Sequence, residues 1–213
     1  MTNATEKFYE YILKNFGENN PIFFSEIKYD NYSDIWKSKQ LTELLHANKI
    51  KRFSKGIYFV PTTSIICGEL CLNSYSVVTK KYIKNGSEYF GYYTGYSLLN
   101  NIGLSTQVPC ALEICTNNER SKIRKVKVGN AKVLLRKTRV PVDSSNVAVL
   151  TFLELMNCIE PSYINKYRFD KMKEFIKMHN ITRKDITKFA PYFPDKVFRN
   201  LVETEIIYFI RKK

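Results

Sequence analysis

Three groups of residues in this chain could do chemistry. The first are the bond-making types: scattered carboxylates such as Glu88, Glu113 and Asp143, the two imidazoles His46 and His179, and five cysteines. A hydrolase needs a positioned nucleophile beside a base. The histidines are far apart in sequence, and no G-x-S-x-G, H-E-x-x-H or Walker A pattern occurs. "NGSEYFG" holds a Gly-Ser, but without the spaced carboxylates that a metal-dependent nucleotidyltransferase wants. Cys67 and Cys71 are four apart and Cys110 and Cys115 five apart, so neither pair has C-x-x-C spacing. Buried, reduced thiols are expected, with no metal, no cofactor and no catalytic set.

The second group is cationic. A net charge of +14 and a pI near 9.5 point to a polyanionic partner: DNA, RNA or an acidic membrane. Residues 1–62 carry nine Lys/Arg against seven Asp/Glu, and residues 63–213 carry 25 against 13, so the excess lies in the second part. "RSKIRKVKVGNAKVLLRKTR", residues 120–139, holds nine Lys/Arg and no acid. Lys122, Arg124, Lys125 and Lys127 are candidate phosphate contacts, which release counterions and give salt-sensitive affinity. A solvated edge strand, with lysines that discourage aggregation, is the alternative.

The third group could read bases. Lys37, Lys39 and Gln40 flank the apolar face of a predicted helix, and Lys and Gln can address guanine and adenine edges. Lys51, Arg52 and Lys55 follow on a predicted hairpin and could hold phosphates.

These side chains need elements to position them. Phe8, Ile12 and Phe16, with Leu13 alongside, predict a helix over 6–16, ended by Gly17 and Pro21. Ser25 is a candidate cap for a short helix near Glu26 to Tyr29. Ser33 caps a third helix whose apolar side is Ile35 or Trp36 with Leu41, Leu44 and Leu45, closed by Asn48. "RFSKGIYFVP" then reads as two strands around a tight turn, stopped by Pro61. Three helices and a basic hairpin are the order of a winged helix-turn-helix, expected over residues 1–62.

After Pro61, "PTTSIICGEL" reads as a connector. Ser74 caps a predicted helix over Tyr75 to Ile83, ended by Asn85-Gly86. "ALEIC" is a strand, and residues 122–137 form a hairpin around Gly129-Asn130 with Ile123, Val126, Val128, Val133 and Leu135 on its apolar side. Helices are expected over 146–158, 161–178, 182–190 and 194–210, with Pro194 in a first turn. The fold class is therefore α+β, a winged helix-turn-helix followed by a mixed α/β domain, residues 63–213, ending in helices.

"YTGYSLLNNIGLSTQVPCALEICTN", residues 93–117, lies between them. Thr94 can cap a short helix, Gly103 stops it, Ser105 to Gln107 satisfy a turn, and Pro109 fixes entry to the strand. The block reads as a fold-defining corner or as a contact surface for protein or DNA.

Two motifs carry a resemblance. Arg52, Gly56, Tyr58 and Pro61 match an "R-x-x-x-G-x-Y-x-x-P" wing, and Gly95, Leu98, Asn100 and the run Ile102 to Pro109 match a "G-x-x-A/L-x-N-x-L/I-G-L-S/T-T-Q-V-P" block. Both resemble the AbiEi-like antitoxins of bacterial type IV toxin–antitoxin (abortive infection, phage defence) systems, over roughly residues 20–140. Asn48 departs from the Gly often found before the wing, although either can be left-handed. The resemblance implies a transcriptional repressor that binds double-stranded DNA repeats in its own promoter. It also implies an antitoxin that counteracts a nucleotidyltransferase-like toxin, with or without touching it.

Alternatives of other classes are a nucleic-acid enzyme or restriction/modification-type subunit that uses the winged helix for targeting, and an RNA-binding adaptor. The N-terminus lacks a basic region followed by an apolar core, and no run reaches the length of a membrane span, so a cytoplasmic protein is expected.

Overall fold

A computed structural model describes residues 3–64, 68–69 and 71–211; Cys67 lies outside them. The chain divides into two compact units, Met1–Val77 and Val78–Lys213. The division falls later than the boundary expected at residue 62.

The first unit opens with α1, Asn3–Phe16, which buries Phe8 and Ile12 at their four-residue spacing. Gly17, at φ 69°, stops it. β1, Ile22–Phe23, leads into a single 3-10 turn, Phe24–Glu26. The α-helix expected near Glu26 to Tyr29 does not form, and Ser25 lies inside the 3-10 turn rather than capping a helix. The cause is a tertiary contact: the Tyr11 hydroxyl donates to Lys28 O at 2.6 Å and accepts the Lys28 N–H at 3.1 Å. Both backbone groups that a helix would have used are already satisfied. Tyr29, Tyr32 and Trp36 stack instead, with ring centres 4.0 Å apart for Tyr32 and Trp36.

α2, Asp34–His46, starts where expected, with Ser33 Oγ accepting the Trp36 N–H at 3.3 Å. Leu41 and Leu44 are buried and Trp36 is half-buried, whereas Ile35 is 83% exposed and takes no part in the core. Asn48 is left-handed at φ 53°. β2, Lys51–Ser54, and β3, Ile57–Phe59, form the hairpin, with a bulge between Arg52 and Ser54 and Gly56 at φ 74°. β3 is central in a three-stranded antiparallel sheet of order β1-β3-β2. The described residues up to Val60 thus form two α-helices, a 3-10 turn and a three-stranded sheet. The expected connector contains a short antiparallel pair, β4, Thr63–Ser64, with β5, Gly68–Glu69. α3, Ser74–Tyr82, crosses the division; Asn73, not Ser74, caps it, its Oδ1 accepting the Tyr75 N–H at 2.9 Å.

The second unit is a mixed sheet under a layer of helices. β6, Lys84–Asn85, and β7, Glu88–Tyr89, make a small hairpin where the α3 stop was expected. β8, Gly91–Tyr93, α4, Gly95–Asn101, β9, Leu112–Thr116, β10, Ile123–Val128, and β11, Ala131–Lys137, follow. The sheet order is β10-β11-β9-β8, with only the β9–β11 pair parallel among these. Gly129-Asn130 forms the expected two-residue turn, with Val128 opposite Ala131. Alternation puts Val126, Val128, Ala131, Val133 and Leu135 on one face; Ile123 is on the other and half exposed, a correction to the expected apolar side.

α5, Val147–Cys158, is apolar almost all round because it is covered on every side: Leu150, Phe152, Leu153, Leu155 and Met156 are all buried. A 3-10 turn, Pro161–Tyr163, then replaces the start of the long helix expected from 161. α6, Lys166–Met178, begins afresh because Asn165 Oδ1 accepts the Arg168 N–H at 2.9 Å. α7 is Arg183–Phe189, with a Thr182/Asp185 capping box. The helix expected over 194–210 is two, α8, Lys196–Glu203, and α9, Ile206–Phe209, separated by Glu205 at φ 59°; Pro194 precedes the first. The buried Asn200 amide donates to Met156 O at 2.8 Å and Ile159 O at 3.0 Å, closing the end of α5. No helix among the described residues is long and apolar enough to cross a membrane.

Gly91 is a packing constraint that sequence periodicity does not report. A Cβ there would lie 2.1 Å from Tyr82 O and 2.7 Å from Cys115 O, both backbone atoms. Gly91→Ala should therefore cost about 3 kcal/mol, the upper range of overpacking, read as a lower urea midpoint; an unchanged midpoint would contradict this packing.

Candidate functional site

The first unit presents α2 and the β2–β3 hairpin. Lys39 is exposed on α2, as are Arg52 on β2 and Lys55 at the hairpin turn; Lys51 is half-buried. Two of the expected base-reading residues are not available in the same way. Gln40 is only 5% exposed, and its Oε1 accepts the Thr5 hydroxyl of α1 at 2.7 Å. It lies four residues from both Trp36 and Leu44, so it belongs to the buried stripe. Lys37 is mostly covered: its ammonium pairs with Asp34 at 2.7 Å and donates to Ile27 O at 3.2 Å. Lys37 thus ties the start of α2 to the segment before it rather than pointing outward.

The basic run of the second unit is split by the pleat of its hairpin. Lys125, Lys127 and Lys132 share the face of β10 and β11 opposite Val126 and Val133, and all three are exposed, as is Lys122 just before the strand. β10 is an edge of this sheet. Arg124 projects to the other face, where its Nε meets Glu119 Oε2 at 2.6 Å. Glu119 is 4% exposed and also accepts the N–H groups of Arg120 and Ser121, both at 2.9 Å. Burial alone would raise its carboxyl, but those N–H groups and the guanidinium outweigh it and hold the carboxyl below its ordinary range. Arg124 is therefore the counter-ion of a buried acid, with half of its side chain still exposed on the face away from Lys125 and Lys127.

The acids considered for catalysis have separate local roles. Asp143 opens α5: the Ser145 hydroxyl donates to it at 2.5 Å, and the N–H groups of Ser145 and Asn146 at 2.8 and 3.1 Å, which depresses its carboxyl. Glu88 is an exposed residue of β7. Glu113 reaches from β9 to α4, where its Oε1 accepts the Tyr96 N–H at 3.3 Å, and its Oε2 lies 3.6 Å from Arg136. Among the described residues, no three His, Cys, Asp or Glu side chains gather as metal ligands would. Cys71 and Cys110 are exposed rather than buried, since both lie in loops. Cys115 and Cys158 are covered, and burial pushes their thiols up to about 12 and about 11.

The block from Thr94 to Pro109 builds one wall of a cleft of about 870 Å³. Thr94 does not cap α4 with its side chain. Its hydroxyl donates instead to the buried Glu154 Oε1 at 2.6 Å, which ties α4 to α5. Gly103, at φ 78°, ends the helix as expected. The Asn100 amide then holds the turn by donating to Ser105 O and Gln107 O, both at 3.3 Å. The opposite wall is Glu160 to Arg168, from the 3-10 turn and the start of α6. No motif in the sequence joins these two segments; tertiary packing alone brings them together.

The matched family extends across both units. The chain belongs to DUF6088, a family of unknown function whose profile matches residues 13–182. No curated protein matches the chain. The DUF6088 span takes in the hairpin, the basic strands and both walls of the cleft, and stops at the cap of α7.

The buried Glu119 gives a pH dependence with a definite sign. Its folded pKa is lower than its ordinary value of 4.5, so its contribution is present above pH 4.5 and is lost as pH falls through the lower folded value. Glu119→Gln should flatten the acid limb of a stability–pH curve in that window, and Arg124→Ala should lower the urea midpoint at neutral pH. Equal acid limbs for wild type and Glu119→Gln would contradict the assignment.

Proposed function

We propose that this protein is a cytoplasmic DNA-binding antitoxin. In this reading it represses its own promoter and counteracts a nucleotidyltransferase-like toxin of a type IV toxin–antitoxin system. The observation that carries the reading is in the first unit: α2, with Lys39 exposed, runs directly into a hairpin that exposes Arg52 and Lys55. The reading treats this unit as a winged helix whose second helix is reduced to the 3-10 turn. α2 enters the major groove, and the hairpin lies along the phosphates. The resemblance of the wing and of the Gly95–Pro109 block to AbiEi-like antitoxins supports the same reading. So does the charge of the second unit, where residues 78–213 carry 25 Lys/Arg against 12 Asp/Glu. In this division of labour, Lys122, Lys125, Lys127 and Lys132 supply sequence-independent affinity.

Binding to duplexes from the protein's own upstream region, compared with scrambled duplexes, tests the reading. Lys39→Ala should relax sequence preference by about 1–3 kcal/mol at one site, whereas Arg52→Ala and Lys55→Ala should weaken all duplexes alike. Gln40→Ala should act on stability, not on preference. Neutralising Lys122, Lys125 and Lys127 should reduce the slope of log affinity against log salt by about 0.9 for each phosphate no longer neutralised. Equal binding of upstream and scrambled duplexes would remove the repressor role. Absence of a neighbouring nucleotidyltransferase-like gene, or failure to restore growth when co-expressed with one, would remove the antitoxin role.

A further inference from the structure

The cleft of the second unit has features that packing does not require. Three tyrosines on its lining keep their rings in solvent: Tyr96 is 55% exposed, Tyr163 70% and Tyr167 58%. Tyr96 comes from one wall, Tyr163 and Tyr167 from the other, and the Tyr167 hydroxyl lies 3.9 Å from where a Cβ on Gly103 would be. Between them the lining is apolar, with Leu99, Leu104, Ile159 and Ile164. A soluble protein gains nothing from leaving three large rings around an apolar recess unless something stacks there.

The polar groups around this recess include both donors and acceptors of hydrogen bonds. The backbone of the Ser105–Gln107 turn is fixed by Asn100 and by the Gln107 N–H donating to Ser105 Oγ at 3.1 Å. The Thr106 hydroxyl and the Gln107 amide themselves make no hydrogen bond among the described residues. Glu113 uses one oxygen for Tyr96 N and sets the other near Arg136, which leaves acceptor capacity on a carboxylate. Arg168 commits one N–H to Tyr163 O at 2.6 Å and keeps its other donors.

We propose that this cleft binds a nucleotide that carries an amino-bearing base. The base stacks on the exposed tyrosines, its exocyclic amino group donates to Glu113, Thr106 and Gln107 address its remaining edge, and its phosphate pairs with Arg168. Stacking on aromatic rings suits any base. A carboxylate selects bases with N–H donors on the edge presented to it. A guanidinium matches phosphate geometry, and the cationic excess of the unit favours an anionic ligand. A neutral sugar would also use the rings and amides, but not the excess of cations. The cleft volume lies within the range of small-molecule sites. The base can belong to a free nucleotide or to a single strand, and the inference does not depend on how the first unit treats duplex DNA.

Calorimetry on the full chain tests this, with AMP, GMP, CMP, UMP, ribose 5-phosphate, a short oligoadenylate and a neutral oligosaccharide as probes. At least one of AMP, GMP and CMP should bind about tenfold more tightly than UMP and ribose 5-phosphate, which present no exocyclic amino group. Tyr163→Ala and Tyr167→Ala should each weaken that binding about tenfold, the scale of removing one stacking ring. Lys184→Ala, an exposed residue of α7 outside the cleft lining, should leave mononucleotide binding unchanged. Tighter binding of oligoadenylate than of AMP assigns the site to a single strand, and the reverse to a free nucleotide; both outcomes support the proposal. It is overturned if no mononucleotide binds, if UMP or ribose 5-phosphate binds as well as the best of them, or if only the oligosaccharide binds. It is also overturned if the tyrosine variants, with unchanged circular dichroism and urea midpoints, bind as the wild type does.

Discussion

A carboxylate occupies the space where residue 95 would carry its side chain. A Cβ on Gly95 would lie 2.3 Å from Glu113 Oε1 and 2.6 Å from its Cδ, and the residue is left-handed at φ 55°. The left-handed backbone favours glycine, and a side chain there would displace the Glu113 carboxylate. The result is a β9 side chain seated against the first turn of α4, while the neighbouring Thr94 ties the same turn to Glu154 of α5. The direction of α4 is therefore set from both the sheet and the helical layer. Everything downstream in the corner inherits that direction: the Gly103 stop, the turn held by Asn100, and one wall of the cleft. Ser97 adds a second tie to the same strand, its hydroxyl accepting the Glu113 N–H at 2.9 Å.

Charge in the second unit is organised by the same geometry. Counting cations along residues 120–139 treats them as one patch, but the strand pleat sorts them. Arg124 faces inward to a nearly buried Glu119, and Arg136 approaches Glu113. The first pair holds β10 to the loop before it, and the second joins β11 to β9. The exposed lysines Lys125, Lys127 and Lys132, which share the face of Arg136 and lie opposite Arg124, have no such partner among the ion pairs of the described residues. A run with no acid in sequence thus contains structural cations, because its counter-ions come from the flanking segments.

Local chemistry is legible in the sequence and tertiary commitments are not. The Ser33 cap, the left-handed Asn48, the Gly103 stop and the Gly129-Asn130 turn each depend on a few adjacent residues, and each is observed. The missing second helix depends on a hydroxyl seventeen residues away in sequence, that of Tyr11, which propensity cannot register. Gln40 departs from expectation for a different reason. Polar residues are expected outside, yet its position between Trp36 and Leu44 is a readable sign of burial, and the hydroxyl of Thr5 makes that burial tolerable. The break at Glu205 has no signal at all, since glutamate seldom takes a left-handed conformation.

The cleft shows why the Gly95–Pro109 block reads as either a corner or a contact surface. Its backbone does the work of a corner, fixed by Asn100, Ser105 and the left-handed Gly103. Its side chains at Thr106 and Gln107 are left without hydrogen-bond partners among the described residues, and Val108 is exposed beside them. A loop whose backbone is fixed and whose side chains are uncommitted presents groups in fixed positions at little further entropic cost. The two readings are therefore one arrangement. The rigidity comes from the residues that look structural, and it gives the residues that look idle a fixed place from which to reach a ligand.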